Sequence, residues 1–260
     1  MFQIIVCLYI ATVIFSALNK LMSDLIEIAG AILSASEKKL EVVSHNIANT
    51  GTSGYKSQSS FSEMISLSDT PSLQKTNEAA TMRSTDFSQG RLTQTNSPLD
   101  FAISGTGLFK LRGGDDFYYS RQGHFQMVEG GRLMTAQGLY LQQEGGGDLV
   151  LGTIAAQVQP DGTILENGLP TSRIGVYSPK NADALTTMGG TLFRSDEANI
   201  ENASNAVIRQ GVLEAANVAV ADQMTLMMGS IREAETGSRL VQTYDTLIGQ
   251  AISTFGQGSR

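Results

Sequence analysis

Both ends of this chain carry the same helical stripe, and a glycine-punctuated series of short apolar runs lies between them. Near the start, Leu25, Ala29, Ile32, Ser36, Leu40, Val43 and Ile47 step by four or three. Near the end, Met224, Met227, Ile231, Ala234, Ser238, Val241, Asp245, Ile248, Ile252 and Phe255 alternate three and four without a break. Seven residues per two turns is the spacing of a coiled-coil seam. Each end therefore reads as a long helix with one apolar edge. Short seam helices are marginal alone in water, so the stripes need something to pack on. The bland reading is that either helix simply covers the β-like middle. Stripes at both termini favour self-association instead. Ser36, Ser238 and Asp245 interrupt the seams with polar groups. From Leu240 on the last stripe widens to take in Tyr244, Leu247 and Ala251, which suits contact with more than one neighbouring helix.

The first helix reads from Ser23 to about Ile47, stopped by Gly51 and Gly54 in left-handed backbone. Ser57 to Thr85 is rich in Ser, Thr and Asn and reads as a poorly ordered connector, with a small apolar cluster at Phe61, Met64, Ile65 and Leu67. From Phe87 onward, runs such as Leu99–Ile103, Leu108–Leu111, Phe117–Arg121 and Phe125–Val128 are separated by glycine turns. That pattern predicts an antiparallel β domain. Val158-Gln159-Pro160-Asp161-Gly162-Thr163-Ile164 is the clearest hairpin, because Pro-Asp-Gly favours a tight turn. Ile174–Tyr177 reads as another strand and Asn199–Ala206 as a loop. The last helix spans about Val220 to Phe255, with Asp222 as N-cap or first-turn acid and Glu235–Arg239 as an i,i+4 pair. The fold class is α+β.

Composition removes several function classes. A formal charge of −7 over 260 residues opposes sequence-independent nucleic-acid binding. Cys7 is the only cysteine, which rules out an intrachain disulfide and a cysteine-based zinc site. His45 and His124 lack metal-ligand spacing. Gly105-Thr106-Gly107 is a turn, since Lys110 stands where a dinucleotide fingerprint needs its third glycine. Asp115 and Asp116 lack the ladder of a calcium loop. Ser120, Arg121 and His124 have neither a nucleophile elbow nor an orienting partner. Met224, Met227 and Met228 read either as helix core or as an adaptable binding surface.

Phe2 to Leu18 is apolar apart from Gln3, Thr12 and Ser16. It has three readings: a short membrane anchor, a secretory signal without a basic start or well-placed small residues, or an extension ahead of a chain beginning at Met22. The third is the expectation, with residues 1–21 a leader outside the native chain and Ser23 or Asp24 as helix N-cap.

Four ordered blocks carry a family resemblance. Ser44-His45-Asn46-Ile47-Ala48-Asn49-Thr50-Gly51-Thr52-Ser53-Gly54-Tyr55-Lys56 resembles the N-terminal signature of bacterial flagellar rod and hook proteins. Ser97–Phe109 resembles their Pro-Leu-Asp-x-Ala-Ile-x-Gly-x-Gly-x-Phe block, and Tyr119–Phe125 their Tyr-Thr-Arg-x-Gly-x-Phe. Gln210–Val218 resembles Gln-Gly-x-Leu-Glu-x-Ser-Asn-Val, with Ala216 where the family has Ser. Within the family the proximal rod branch is the nearest match and the distal rod branch the runner-up. The resemblance implies that residues 22–56 and 210–260 pair as a coiled-coil-like inner tube domain. Residues 57–85 would connect it to an outer β-rich domain, 86–209.

It also implies a structural, non-enzymatic rod subunit in the basal body, exported without a cleaved signal peptide. Partners would be copies of itself, other rod subunits and the flagellar export apparatus, with no cofactor, metal, nucleic acid or small-molecule substrate. The expected assembly residues are Leu25, Ile32, Leu40, Val43 and Ile47 at the front and Met224, Met227, Ile231, Val241, Leu247, Ile248 and Ile252 at the back. Asn46, Asn49, Gly54 and Tyr55 would form the turn that joins the two domains, its side-chain amides bonding backbone. The rival from another class is a membrane-anchored β-domain enzyme or glycan-binding module that uses Phe2–Leu18 as its anchor.

Overall fold

A computed structural model describes residues 2–63, 80–181, 184–203 and 206–257, with side chains for residues 24–60, 84–250 and 253 within those limits. The chain divides into two units. One comprises Met1–His45, Gln58–Ser84 and Ala221–Arg260; the other comprises Asn46–Ser57 and Thr85–Val220.

The first unit is built on α1 (Phe2–Ala48) and α2 (Val220–Gln257). α1 runs unbroken through Met22, so Ser23 and Asp24 lie inside it rather than capping it. The reason is local: no Gly or Pro occurs before Gly30 to stop a helix of Leu, Ile, Val and Ala. The two helices run antiparallel, since Lys39 Nζ meets Glu233 Oε2 at 2.8 Å while the earlier Leu33 meets the later Gly237. Small residues stand beside Ile32 and Leu33 in their contact. Ala29, Ser36, Ser230 and Gly237 are buried, and a methyl group on Gly237 would sit 3.0 Å from Leu33 Cγ. Ser36 therefore belongs to the contact instead of weakening it. Its hydroxyl donates to the Ile32 carbonyl (2.6 Å) and that of Ser230 to Leu226 (3.0 Å), so neither is buried unpaired. Ser238 and Asp245 stay exposed.

The segment expected as a connector contributes a two-stranded pair, β1 (Gln58–Glu63) with β2 (Ala80–Thr85). Its polar Ser- and Thr-rich composition masked the strands. Met64, Ile65, Leu67 and the Phe61 side chain lie outside the described residues.

The second unit is the antiparallel β body. Its strands are β3 (Leu92–Gln94), β4 (Phe101–Ser104), β5 (Leu108–Gly113), β6 (Asp116–Ser120), β7 (Gln126–Met127), β8 (Leu133–Met134), β9 (Tyr140–Leu141), β10 (Gln157–Val158), β11 (Thr163–Glu166), β12 (Leu169–Arg173), β13 (Val176–Pro179), β14 (Thr186–Gly189), β15 (Leu192–Arg194), β16 (Ile200–Asn202), β17 (Val207–Gln210) and β18 (Val212–Glu214). The main sheet runs β14-β15-β6-β5-β9-β8-β7, with β13 pairing both β5 and β16. β10, β11 and β12 form a second sheet, while β17 pairs β4 and β18 pairs β3. Phe101, Ile103, Phe109, Leu111, Phe125, Leu133, Leu141, Ile164 and Ile208 fill the core, and Phe109 meets Phe125 edge-on at 5.8 Å.

The Pro-Asp-Gly turn links β10 to β11 as expected. Gly162 takes φ +90° and Asp161 Oδ1 accepts the Thr163 N–H at 3.0 Å. Asn199–Ala206 departs from the loop reading, because Ile200–Asn202 pairs with Tyr177–Pro179.

Candidate functional site

The helix end is set by a hydroxyl-rich turn. Thr50 N–H donates to Ile47 O and Thr52 N–H to Asn49 O, while Thr50 Oγ1 donates to Asn46 O at 3.2 Å. Gly51 does not enter the left-handed region; Gly54 does, at φ +73°. A side chain on Gly54 would collide with the Arg121–Gln122 backbone, and its N–H donates to Glu214 O at 2.7 Å. Only glycine permits both the dihedral and the approach.

That approach carries the next residues into the β body. Tyr55 is buried and its hydroxyl donates to Asn46 Oδ1 at 3.0 Å; burial pushes its pKa up. Ser57 N–H donates to Asn217 Oδ1 at 2.7 Å, and Asn217 Nδ2 donates to Asp86 O at 2.8 Å.

Lys56 ends in an ion cluster without water contact. Its Nζ lies 2.6 Å from both Glu214 Oε1 and Ser88 O. Glu214 Oε1 also accepts the Gly90 N–H at 2.8 Å, and Oε2 accepts Arg121 Nη1 at 3.0 Å. Arg121 further donates to Ile103 O (3.1 Å) and Gly105 O (2.6 Å). Exposure of the Lys56, Glu214 and Arg121 side chains is 0%, 0% and 4%. Two cations thus share one carboxylate. Burial holds the Lys56 ammonium below the usual lysine range, against the opposing pull of Glu214.

A second set of contacts flanks the cluster. Asp100 Oδ1 bonds His124 Nδ1 at 2.7 Å, and Asp100 Oδ2 accepts the Thr95 hydroxyl at 2.6 Å. Gln210 Nε2 donates to Pro98 O and Ala156 O, both at 2.8 Å. Ser120 Oγ donates to Thr191 O at 2.8 Å. Ser120, Arg121 and His124 therefore face three different partners, and His124 has in Asp100 an orienting carboxylate that the sequence did not reveal. Among the described residues, no group of three or more His, Cys, Asp or Glu could hold a metal ion.

The expected assembly residues fall into two sets. Asn46, Gly54 and Tyr55 come together in buried positions, and Asn49 Oδ1 accepts the Thr52 hydroxyl at 3.3 Å. On the helices, Val43 is buried; Ile32, Leu40, Ile47, Met227, Val241 and Ile248 are half-buried. Leu25 (42%), Met224 (51%), Ile231 (41%) and Leu247 (56%) are exposed. The Ile252 side chain lies outside the described set. Lys56, Glu214 and Asn217 were not singled out from the sequence, and Arg121 only as a discounted catalytic candidate, although each sits inside one of the four blocks.

Two family models match. The flagellar hook protein FlgE/F/G D1 domain covers residues 102–225, and the flagellar basal body rod FlgEFG protein C-terminal domain covers residues 209–254. The FlgF rod protein of Caulobacter vibrioides is 27% identical over 229 residues, spanning 85% of this chain and 93% of that protein. The FlgG rod protein of Bacillus subtilis is 28% identical over 84% of this chain and 93% of that protein. The FlgF rod protein of Mesorhizobium japonicum is 26% identical over 92% of this chain and 100% of its own length. The blocks that carried the resemblance meet in one buried cluster, and the two models together span more than half of the sequence: the chain belongs to the FlgE/FlgF/FlgG family of flagellar rod and hook proteins.

Proposed function

We propose that this chain is a structural subunit of the bacterial flagellar basal-body rod, working by assembly and not by catalysis. The observation that carries this reading is the near end-to-end match to proteins named flagellar basal-body rod proteins. The helices supply the physical means. Their mutual contact leaves Leu25, Met224, Ile231 and Leu247 uncovered, and apolar edges of this kind are buried by neighbouring copies. Head-to-tail contacts that do not close generate a helical filament. In this reading residues 22–56 and 210–260 line an inner tube with coiled-coil-like packing, residues 86–209 face outward, and residues 57–85 connect the two. The tube transmits torque. The subunit reaches the rod through the flagellar export apparatus, without a cleaved signal peptide, and its partners are other rod subunits and its own copies.

The proximal rod is the preferred position. The distal rod is a second reading, favoured by FlgG relatives matching at the same level as FlgF ones. The test is a basal body purified from cells carrying a tagged chain and imaged by electron microscopy. Density in the rod supports the proposal, and its position separates proximal from distal. A basal body that lacks the chain, together with normal swimming of a deletion strain, overturns it.

A further inference from the structure

The exposed edge of α2 contains a pair of thioethers. Met224 and Met228 are 51% and 63% exposed. They stand four residues apart, with Ile231 three further on, so the three share one face. That face lies about a third of a turn from Ser230 and Gly237, which meet α1. The stripe is therefore apolar, solvent-facing and unused by the intrachain contact. Among the other methionines whose side chains are described, Met127, Met134 and Met227 are half-buried, and Met188 is exposed on β14 in the β body.

We propose that Met224 and Met228 form an oxidation site that switches off assembly, an inference that rests on the rod-subunit reading. The co-reactant is a peroxide. The thioether sulfur gives an electron pair to one peroxide oxygen, the O–O bond breaks, an S–O bond forms, and hydrogen peroxide leaves one water per methionine oxidised. Sulfur is oxidised by two electrons and peroxide reduced by two. The product sulfoxide is a strong acceptor and a polar group where an apolar stripe stood. Burying it against a neighbour without a donor carries the penalty of an unpaired polar group. Assembled subunits would shield these sulfurs, so the free subunit is the vulnerable form. Because the sulfoxide is reducible by methionine sulfoxide reductases, the block is reversible.

The experiment uses the full chain with hydrogen peroxide as oxidant. Peptide mass spectrometry reads which methionines gain one oxygen, sedimentation reads self-association, and circular dichroism checks that the β body stays folded. The expected result is preferential oxidation of Met224 and Met228 with loss of self-association, recovered after sulfoxide reductase. The M224L/M228L variant keeps an apolar stripe; it should associate before and after peroxide, while M188L remains as sensitive as the parent. Oxidised parent protein that associates normally overturns the inference. So does an M224L/M228L variant that loses association under peroxide as fully as the parent, or one that fails to associate untreated. Failure of the untreated parent to associate, alone or with other rod subunits, overturns the rod-subunit reading itself and removes the basis of this one.

Discussion

Replacing Glu214 with Gln tests the buried cluster most directly. The carboxylate is fully buried and neutralises part of the charge on Lys56 and Arg121. Gln preserves the volume and removes the charge, leaving two cations with no counter-ion in a dry site. Breaking a buried ion pair by deleting one partner costs about 3–5 kcal/mol. For a unit of this size that predicts a melting temperature lower by about 10 °C. Lys56→Met should be milder, at about 1–2 kcal/mol for the lost hydrogen bonds, because Arg121 and Glu214 remain as a neutral pair and a costly buried ammonium disappears. Glu197→Gln is the control: Glu197 pairs with Lys110 at 2.8 Å on the surface and should cost less than about 1 kcal/mol. Near-ultraviolet dichroism of the buried tyrosines reports the melt, since the chain has no Trp. If E214Q melts with E197Q, or if K56M is as damaging as E214Q, the charge argument is wrong.

Gly54→Ala forces a left-handed dihedral on a side chain that also meets the Arg121–Gln122 backbone; it should lose about 3 kcal/mol or more, whereas Gly51→Ala, with nothing within 4 Å, should leave the denaturation midpoint unchanged. The Tyr119 phenol is pushed up to about 12, first by burial and then by Glu197 and Tyr177. Its stabilising share is fully present below the ordinary value near pH 10 and fades as pH rises towards 12, so alkaline denaturation curves of Y119F should be flatter over that window. Amide exchange on the isolated subunit should protect β4, β5 and β6 strongly and both terminal helices weakly; strong protection at both helices would sink the idea that assembly orders them.

Much of the fold is readable from local pattern. Glycine turns announced the β body, and the Pro-Asp-Gly hairpin formed where its turn chemistry required. The helix contact was half readable: Ala29, Ser36 and Val43 stand in the front stripe, whereas the buried Ser230 and Gly237 fall one position before Ile231 and Ser238 of the back stripe. Close approach favours small side chains, and Ser230 and Gly237 carry no apolar signal of their own. The ion cluster was invisible for another reason. Lys56 and Glu214 are 158 residues apart and Arg121 and Glu214 are 93 apart, so no spacing rule connects them. What hinted at them was the single Lys, Arg or Glu that each of three blocks carries. Strands β1, β2 and β16 escaped because each carries the polar composition of a loop.

A buried ionic cluster is weak evidence for stability, since apolar residues of similar volume often do as well. Its value here lies in register. Glu214 is the last residue of β18, which pairs with β3 through Glu214↔Leu92 and Leu213↔Thr93. A one-residue slip along that strand turns every side chain to the opposite face. It would present Leu213 or Ala215 to Lys56 and Arg121, leaving both cations and the Gly90 N–H without their acceptor. The wrong pairing is therefore penalised by several kcal/mol, where an apolar residue would have tolerated the slip. Gly54 adds a second constraint, because its contact with the Arg121 backbone admits no side chain. Two independent requirements thus fix where the 46–57 segment meets the β body. Among the described residues, the exposed apolar positions Leu25, Met224, Ile231 and Leu247 carry no such constraint, and this is the division that the proposed rod-subunit reading expects: a β body specified internally and helix surfaces completed by neighbours.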